Sequence, residues 1–186
     1  MIGIDDVFLI GFFGLIVGCI LTFILKVKLE KIIIWSVIYI YIIIVLGLTL
    51  FPIPYQGIEL FDPVPNNFIP FSTIIAILKM GITSTSLIQI LGNIIIAAPY
   101  GVILYLTMRK KKRIWIFLFP LLFPIVIESL QFFIGLVIGY NYRSIDIDDF
   151  ILNSLGAYFG ILFGKIFLND LGDKIFDKLF ANQNND

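Results

Sequence analysis

The residues best suited to chemistry lie between Glu128 and Gly160, in a chain that is otherwise mostly apolar. Glu128 is the only acidic residue deep inside an apolar segment, and Gln131 shares its helix face three residues later. A carboxylate in hydrocarbon has to be paired, protonated or next to water, because burying its charge is costly. It can serve as a proton acceptor or as a clamp on a polar substrate. The alternative is a buried carboxyl that only holds helices together.

A second polar group surrounds Arg143, which is followed by Asp146, Asp148 and Asp149. The guanidinium can grip a phosphate or a carboxylate with two hydrogen bonds. The alternative is internal: an Arg–Asp bridge that orders the loop, or acidic caps at the start of the next helix, where Asp148 and Asp149 stand. Both interpretations can hold together. The three acids match no calcium-loop pattern, because the glycine turn and a distant glutamate are missing, so no metal site is predicted.

Small residues recur every three or four positions after Asp149, which places them on one helix face. Asn153 lies on that face and is expected to point toward Glu128 or Gln131. Asn93 adds an amide to an earlier apolar segment, where hydrogen bonding between helices is the alternative to a ligand role. Glycines at this spacing allow a second helix to approach closely, so helix packing is the predicted role of Gly156, Gly160 and Gly164.

The composition indicates which elements carry these groups. Of the 186 residues, 60% are hydrophobic and 14% are charged, and the mean hydropathy is +1.05. A soluble domain is less apolar and has about a quarter of its residues charged, so lipid has to solvate the excess. The net charge of zero gives no sign of nucleic-acid binding. The absence of histidine excludes histidine-based catalytic triads and histidine zinc sites, and no cofactor is predicted.

A membrane helix needs about 20 mostly apolar residues, and the chain contains segments that meet this requirement. They predict an all-α polytopic membrane helix bundle that forms a single membrane domain over residues 1–186, with a frayed polar tail at 181–186. The five predicted spans are Val7–Leu25, Ile32–Phe51, Leu87–Thr107, Ile114–Ile138 and Phe150–Leu168.

Basic residues give the orientation of the predicted spans, because positive charge stays on the cytoplasmic side. They follow the first, third and fifth spans, whereas the other connections hold only Lys79 and Arg143. The pattern predicts an N-terminus outside the cell and a C-terminus in the cytoplasm. Glu128, Asn93 and Asn153 then all lie toward the outer leaflet.

The long outer connection is predicted to contain an interfacial or re-entrant flap at Asn67–Met80. Its sequence is too short to span a bilayer and apolar enough to lie on it or dip into it. Ser72 is the predicted cap of a short helix over Thr73–Met80, and Gly81 is predicted to end that helix. The flap is therefore the one short helix expected outside the five spans.

Four motifs, in order and spaced between the predicted helices, resemble the VanZ-like family of small bacterial membrane proteins. The resemblance covers about residues 51–164. It implies a polytopic protein of the cell membrane, linked through the family's named member to resistance against glycopeptide antibiotics of the teicoplanin type. The motifs are Asn67-Phe68-Ile69-Pro70-Phe71; Gly92-Asn93 followed by Pro99-Tyr100-Gly101; Glu128-Ser129-Leu130-Gln131; and Arg143-x-x-Asp146-x-Asp148-Asp149-x-x-x-Asn153-x-x-Gly156-x-x-x-Gly160.

The sequence therefore predicts an outward-facing polar site with Arg143 at its mouth. The expected ligand is an amphipathic molecule with an anionic head: a lipid, a lipid-linked wall precursor or a lipoglycopeptide. No catalysis is expected, since no nucleophile–base pair or metal motif is visible. The alternatives are an intramembrane enzyme that uses Glu128 as acid or base, and a structural protein whose polar groups only lock helices. The predicted site residues are Glu128, Gln131, Arg143, Asp146, Asp149, Asn153, Asn93 and Asn67.

Overall fold

The computed structural model describes residues 1–54, 64–81, 83–108 and 113–169. The predicted all-α membrane fold is confirmed, with six helices and no strand in these ranges. Five of the helices are long and apolar enough to cross a membrane, so the chain is a multi-pass membrane protein. The predicted tail at 181–186 and the basic residues at 109–112 lie outside the described residues. The helices are α1 Ile4–Ile24, α2 Leu29–Leu50, α3 Ser72–Met80, α4 Ser84–Met108, α5 Arg113–Ile138 and α6 Ile147–Phe167.

The chain divides into two compact units, one containing α1 and α2 and the other α3 to α6. In the first unit, α1 packs closely against α2 at glycines on both helices. A Cβ at Gly11 would meet the Ile43 side chain, and a Cβ at Gly47 would meet the Phe8 ring. The end of this hairpin is tied by backbone hydrogen bonds between Ile2 and Ile53. Both helices expose most of their large apolar side chains, as expected for surfaces that lipid covers.

In the second unit, α6 is the most buried of the three long helices, and it packs most extensively against α4. Glycines make this contact possible. A Cβ at Gly156 would overlap the backbone carbonyl of Ile94, and a Cβ at Gly160 would overlap that of Ala98. From the α4 side, a Cβ at Gly101 would overlap the carbonyl of Ala157. The two helix backbones therefore touch directly, as small-residue stripes allow in membranes.

The α5 helix packs on both of these helices and contains Pro120 and Pro124, which are fully buried. Proline cannot donate a backbone hydrogen bond, so it disturbs the ladder of the preceding turn. Two tyrosine hydroxyls from the neighbouring helices supply donors in this region. Tyr158 on α6 donates to the Phe117 carbonyl at 2.7 Å, and Tyr100 on α4 donates to the Phe119 carbonyl at 2.9 Å. The helix continues through both prolines from Arg113 to Ile138.

Candidate functional site

Two loops meet at one end of the second unit, residues 64–71 before α3 and residues 139–146 between α5 and α6. We call this the polar end. Asn67 pairs with the chain beside Asp146, because its N–H donates to the Ile145 carbonyl and its carbonyl accepts from Ile147, each at 2.9 Å. Further along, Ser144 Oγ donates to the Pro65 carbonyl at 2.7 Å. The two loops thus form one hydrogen-bonded layer.

The Asn67 side chain lies inside this layer. Its Nδ2 donates to Asp146 Oδ1 at 2.8 Å and to Thr73 Oγ1 at 3.0 Å. Its Oδ1 accepts from the Ile69 N–H at 3.1 Å and from Ser72 Oγ at 2.7 Å. Since both ends of the amide are satisfied by the protein, Asn67 holds the two loops and the start of α3 together.

Asp146 is buried and caps the start of α6. Its Oδ1 accepts from the Asp148 N–H at 2.8 Å, and its Oδ2 accepts from Thr73 Oγ1 at 2.8 Å. The sequence pattern placed the caps of this helix at Asp148 and Asp149, and that prediction was wrong by two residues. The helix begins earlier than predicted, so the residue with extended backbone that can reach back to the first turn is Asp146.

Asp148 is fully buried and caps a different helix. Its Oδ2 accepts from the backbone N–H groups of Thr73 at 2.8 Å and Ile74 at 3.2 Å, and its Oδ1 accepts from Phe71 N–H. These are the otherwise unpaired donors at the start of α3, and the helix dipole favours a negative charge there. The predicted cap, Ser72, is wrong: Phe71 takes the cap position with a left-handed backbone (φ 66°), while Gly81 ends the helix as predicted.

Asp149 faces away from this capping arrangement, and the remaining polar groups of the polar end gather around it. Asn93 on α4 donates to Asp149 Oδ1 at 2.5 Å. Glu128 on α5 and Arg143 in the 139–146 loop are both close enough for their charges to interact with that of Asp149. These four residues, Asn93, Glu128, Arg143 and Asp149, are called the Asp149 cluster below. Every element of the unit except α3 therefore contributes to it.

Arg143 is the cation of the Asp149 cluster and is half-buried in its loop. Burial lowers the pKa of its guanidinium from the ordinary value, whereas the charges of Tyr142 and Asp149 raise it. The side chain remains a cation, because arginine does not lose its proton in proteins. Burial likewise raises the pKa of the neighbouring Tyr142 hydroxyl, with the Arg143 charge opposing that shift. A fixed cation thus stands where the loop meets the helices.

Further buried polar atoms lie beside and below Asp149. Glu128 has one carboxylate oxygen within hydrogen-bonding reach of the Asp146 backbone, and its Oε2 is buried. Asn153 is only 3% exposed and lies one turn deeper than Asp149 on the same face of α6. Within the described parts of the chain, Glu128 Oε2 and Asn153 Oδ1 have no hydrogen-bond partner. Gln131, one turn beyond Glu128 on α5, also has a buried side-chain oxygen.

The structure therefore sorts the predicted site residues into two groups. Glu128, Arg143, Asn93 and Asp149 come together, with Asn153 just below them, whereas Asn67 and Asp146 serve the loop layer and the helix caps. Thr73 was missed by the sequence reasoning, although its hydroxyl joins Asn67 to Asp146. Its only signal was its place at the start of a short helix.

Asp146, Asp148 and Asp149 bring three carboxylates close together in the sequence. Over residues 1–54, 64–81, 83–108 and 113–169, the structure contains no group of three or more acidic, cysteine or histidine side chains arranged to hold a metal ion. The oxygens of Asp146 and Asp148 accept hydrogen bonds from the chain itself. Outside the helix caps and the loop layer, the polar end therefore offers the Arg143 guanidinium, the carboxylates of Glu128 and Asp149, and the carboxamides of Asn93 and Asn153.

The family of the chain follows from comparison with known proteins. No curated protein and no solved structure matches it. Residues 38–168, more than half of the chain, match the family described as VanZ/LLP1. The match contains α3 to α6, the loop layer and the whole Asp149 cluster, and it extends beyond the predicted region 51–164 at both ends. The chain belongs to the VanZ/LLP1 family of proteins.

Proposed function

We propose that the protein lies in the bacterial cytoplasmic membrane with its N-terminus outside and its C-terminus in the cytoplasm. The support is the distribution of lysine and arginine, which follow the first, third and fifth spans. In this orientation the polar end of the second unit faces the outside. The Asp149 cluster is then open to molecules of the outer leaflet and the cell wall.

We propose that the Asp149 cluster binds the anionic head of an amphipathic molecule: a lipid, a lipid-linked wall precursor or a lipoglycopeptide. The observation that carries this proposal is the convergence of three elements on Asp149, including the only arginine of that loop. A guanidinium pairs with phosphate or carboxylate through two hydrogen bonds. Asp149 orients it, and Asn93 fixes Asp149.

The surroundings suit an amphipathic ligand. Phe68 is 68% exposed and Ile69 is 70% exposed, directly beside the hydrogen-bonded Asn67. On α5, Phe132 is also exposed, one turn beyond Glu128 toward the same end. An acyl tail or apolar ring system can lie along such surfaces while its head reaches Arg143.

We propose a binding role and no catalysis. The cluster offers a cation and hydrogen-bonding groups, and the chain has no histidine to act as a base near neutral pH. Through the family, the proposed physiological role is in resistance to glycopeptides of the teicoplanin type. Turnover of a lipid-linked substrate by the purified protein would replace this proposal with the intramembrane enzyme, in which Glu128 acts as acid or base.

The experiment is a teicoplanin susceptibility assay in a sensitive bacterial host that expresses the protein. Arg143→Ala and Glu128→Gln should abolish the gain in resistance at unchanged membrane levels of the protein. Lys79→Ala is the matched control, because Lys79 is an exposed cation on α3 outside the cluster, and it should behave as the wild type. Full resistance with Arg143→Ala would refute the site. Loss of the protein itself with Glu128→Gln would favour the purely structural alternative.

A further inference from the structure

Two buried oxygens, one in the Asp149 cluster and one just below it, lack a hydrogen-bond donor in the described residues, and they indicate what else the ligand carries. We propose that the head bound at this site has a primary ammonium group beside its anionic group, and that Glu128 and Asn153 accept hydrogen bonds from that ammonium. This inference rests on the proposed function, in which Arg143 binds the anionic part of the same head. It adds a second, deeper contact to that site.

The first step is the state of the buried acceptors. Asn153 is 97% buried, since its exposed fraction is 3%, and its Oδ1 lacks a hydrogen-bond partner in the described ranges. On α5, Glu128 Oε2 is also buried and also lacks a hydrogen-bond partner in these ranges. A buried acceptor without a donor is destabilising by about 1–3 kcal/mol, and more when it is charged. Two such atoms close to one cluster indicate a binding site for a molecule that donates hydrogen bonds.

The two unpaired acceptors differ from Asp146 and Asp148, whose carboxylates cap helices. Asp146 accepts hydrogen bonds from the Asn67 amide, the Thr73 hydroxyl and the Asp148 N–H. Asp148 accepts hydrogen bonds from three backbone N–H groups at the start of α3. Their charges are therefore compensated by donors of the chain. Glu128 and Asn153 take no part in these caps, so helix capping does not explain them.

The third step is the charge. Glu128 and Asp149 are two carboxylates close enough for their charges to interact, and the guanidinium of Arg143 lies near Asp149. A cation beside Glu128 would offset the repulsion between these two carboxylates. A primary ammonium carries three donors and no acceptor, so it can satisfy the Glu128 and Asn153 oxygens together. A quaternary ammonium has the same charge and no donor, so it cannot.

The depth of the groups gives the order of the two contacts. Arg143 lies in the loop, Asp149 in the first turn of α6, and Asn153 one turn further in, about 6 Å along the helix axis. A head with a phosphate and an amine a few bonds apart can reach both levels. The geometry thus fits a zwitterionic lipid head with a primary amine, and an amine-bearing wall precursor or lipoglycopeptide shares that chemistry.

The experiment measures head-group selectivity of the full-length protein purified in detergent, by native mass spectrometry against three phospholipids of equal chain length. Phosphatidylethanolamine has the primary amine, phosphatidylcholine has a quaternary amine, and phosphatidylglycerol has hydroxyls without a cation. We expect the first to bind about tenfold more tightly than the other two, because charge-assisted hydrogen bonds are roughly twice as strong as neutral ones. Soluble ethanolamine phosphate as a competitor distinguishes the head group from the tails.

Two variants distinguish a failure of the ammonium contact from a failure of the anion site at Arg143. Glu128→Gln should remove the preference for phosphatidylethanolamine over phosphatidylcholine. Arg143→Ala should weaken all three lipids. If the wild type binds the three equally, while Arg143→Ala still weakens them all, the ammonium contact is refuted and the anion site stands. If Arg143→Ala changes none of them, the proposed function itself fails. The comparison of the three phospholipids uses the wild-type protein, so it does not depend on whether a variant folds.

Discussion

Asp148, in the first turn of α6, closes the first turn of α3 across 75 residues of sequence, with Oδ2 at 2.8 Å from the Thr73 N–H. The same carboxylate also accepts from Phe71 and Ile74. A short apolar helix is thereby fixed to the end of a membrane-spanning helix by one buried acid. Its neighbour Asp149 is left to organise the cluster on the other side.

Asp148→Ala should remove the cap of α3 and leave its first N–H groups without an acceptor. We expect a loss of about 2–4 kcal/mol in stability, since both a cap and buried hydrogen bonds disappear. Unfolding followed by tryptophan fluorescence in detergent measures it. Asp5→Ala, an exposed acid in the first turn of α1, is the control and should cost less than about 1 kcal/mol. Equal effects of the two variants would contradict the capping role.

Gly160→Ala should force α4 and α6 apart, because the added Cβ would overlap the backbone carbonyl of Ala98. Overpacking of this kind is destabilising by about 1–3 kcal/mol. Gly92→Ala is the matched control on α4, since nothing lies within 4 Å of a Cβ there. Helix propensity alone should make that control neutral or more stable by up to about 1 kcal/mol. The same fluorescence assay compares them, and a Gly160→Ala protein as stable as the wild type would refute the close contact.

Thr73→Val keeps the shape of the side chain and removes the hydroxyl that joins Asn67 to Asp146. Two hydrogen bonds are lost, so the loop layer should open more often. Hydrogen exchange of the backbone amides over residues 64–71 should become faster by about tenfold, the equivalent of about 1.4 kcal/mol. Thr107→Val, which loses a hydroxyl bonded only within α4, should leave that segment unchanged. Unaltered exchange in Thr73→Val would show that the hydroxyl does not hold the loops.

The sequence was sufficient for the features that depend on local spacing. Five long apolar stretches predicted the spans, and glycines four residues apart predicted a helix face for close packing, which α4 occupies. The caps of α3 and α6 could not be predicted in this way. Ser72 has the residue type of a cap, but the acceptor that α3 uses comes from Asp148, which is distant in sequence and near only in the fold.

Asn93→Asp should place a second carboxylate against Asp149, whose Oδ1 now accepts from the Asn93 amide. The like charges repel at a short separation in a partly buried place, so ligand binding at Arg143 should weaken together with the cluster. Gln89→Glu, one turn earlier and exposed, introduces the same charge change as a control. Binding of phosphatidylglycerol by native mass spectrometry should fall at least tenfold in the first variant only. Equal binding by both variants would exclude Asn93 from the site.

The central claim is that the loop layer and the Asp149 cluster face the outside of the cell. The direct measurement is labelling of a single cysteine with a membrane-impermeant maleimide in intact cells. Cys19→Ser provides the background, Pro65→Cys reports on the exposed loop, and Lys28→Cys reports on the turn between α1 and α2. We predict that Pro65→Cys is labelled before lysis and Lys28→Cys only after permeabilisation. The reverse pattern would place the cluster on the cytoplasmic side and contradict the account.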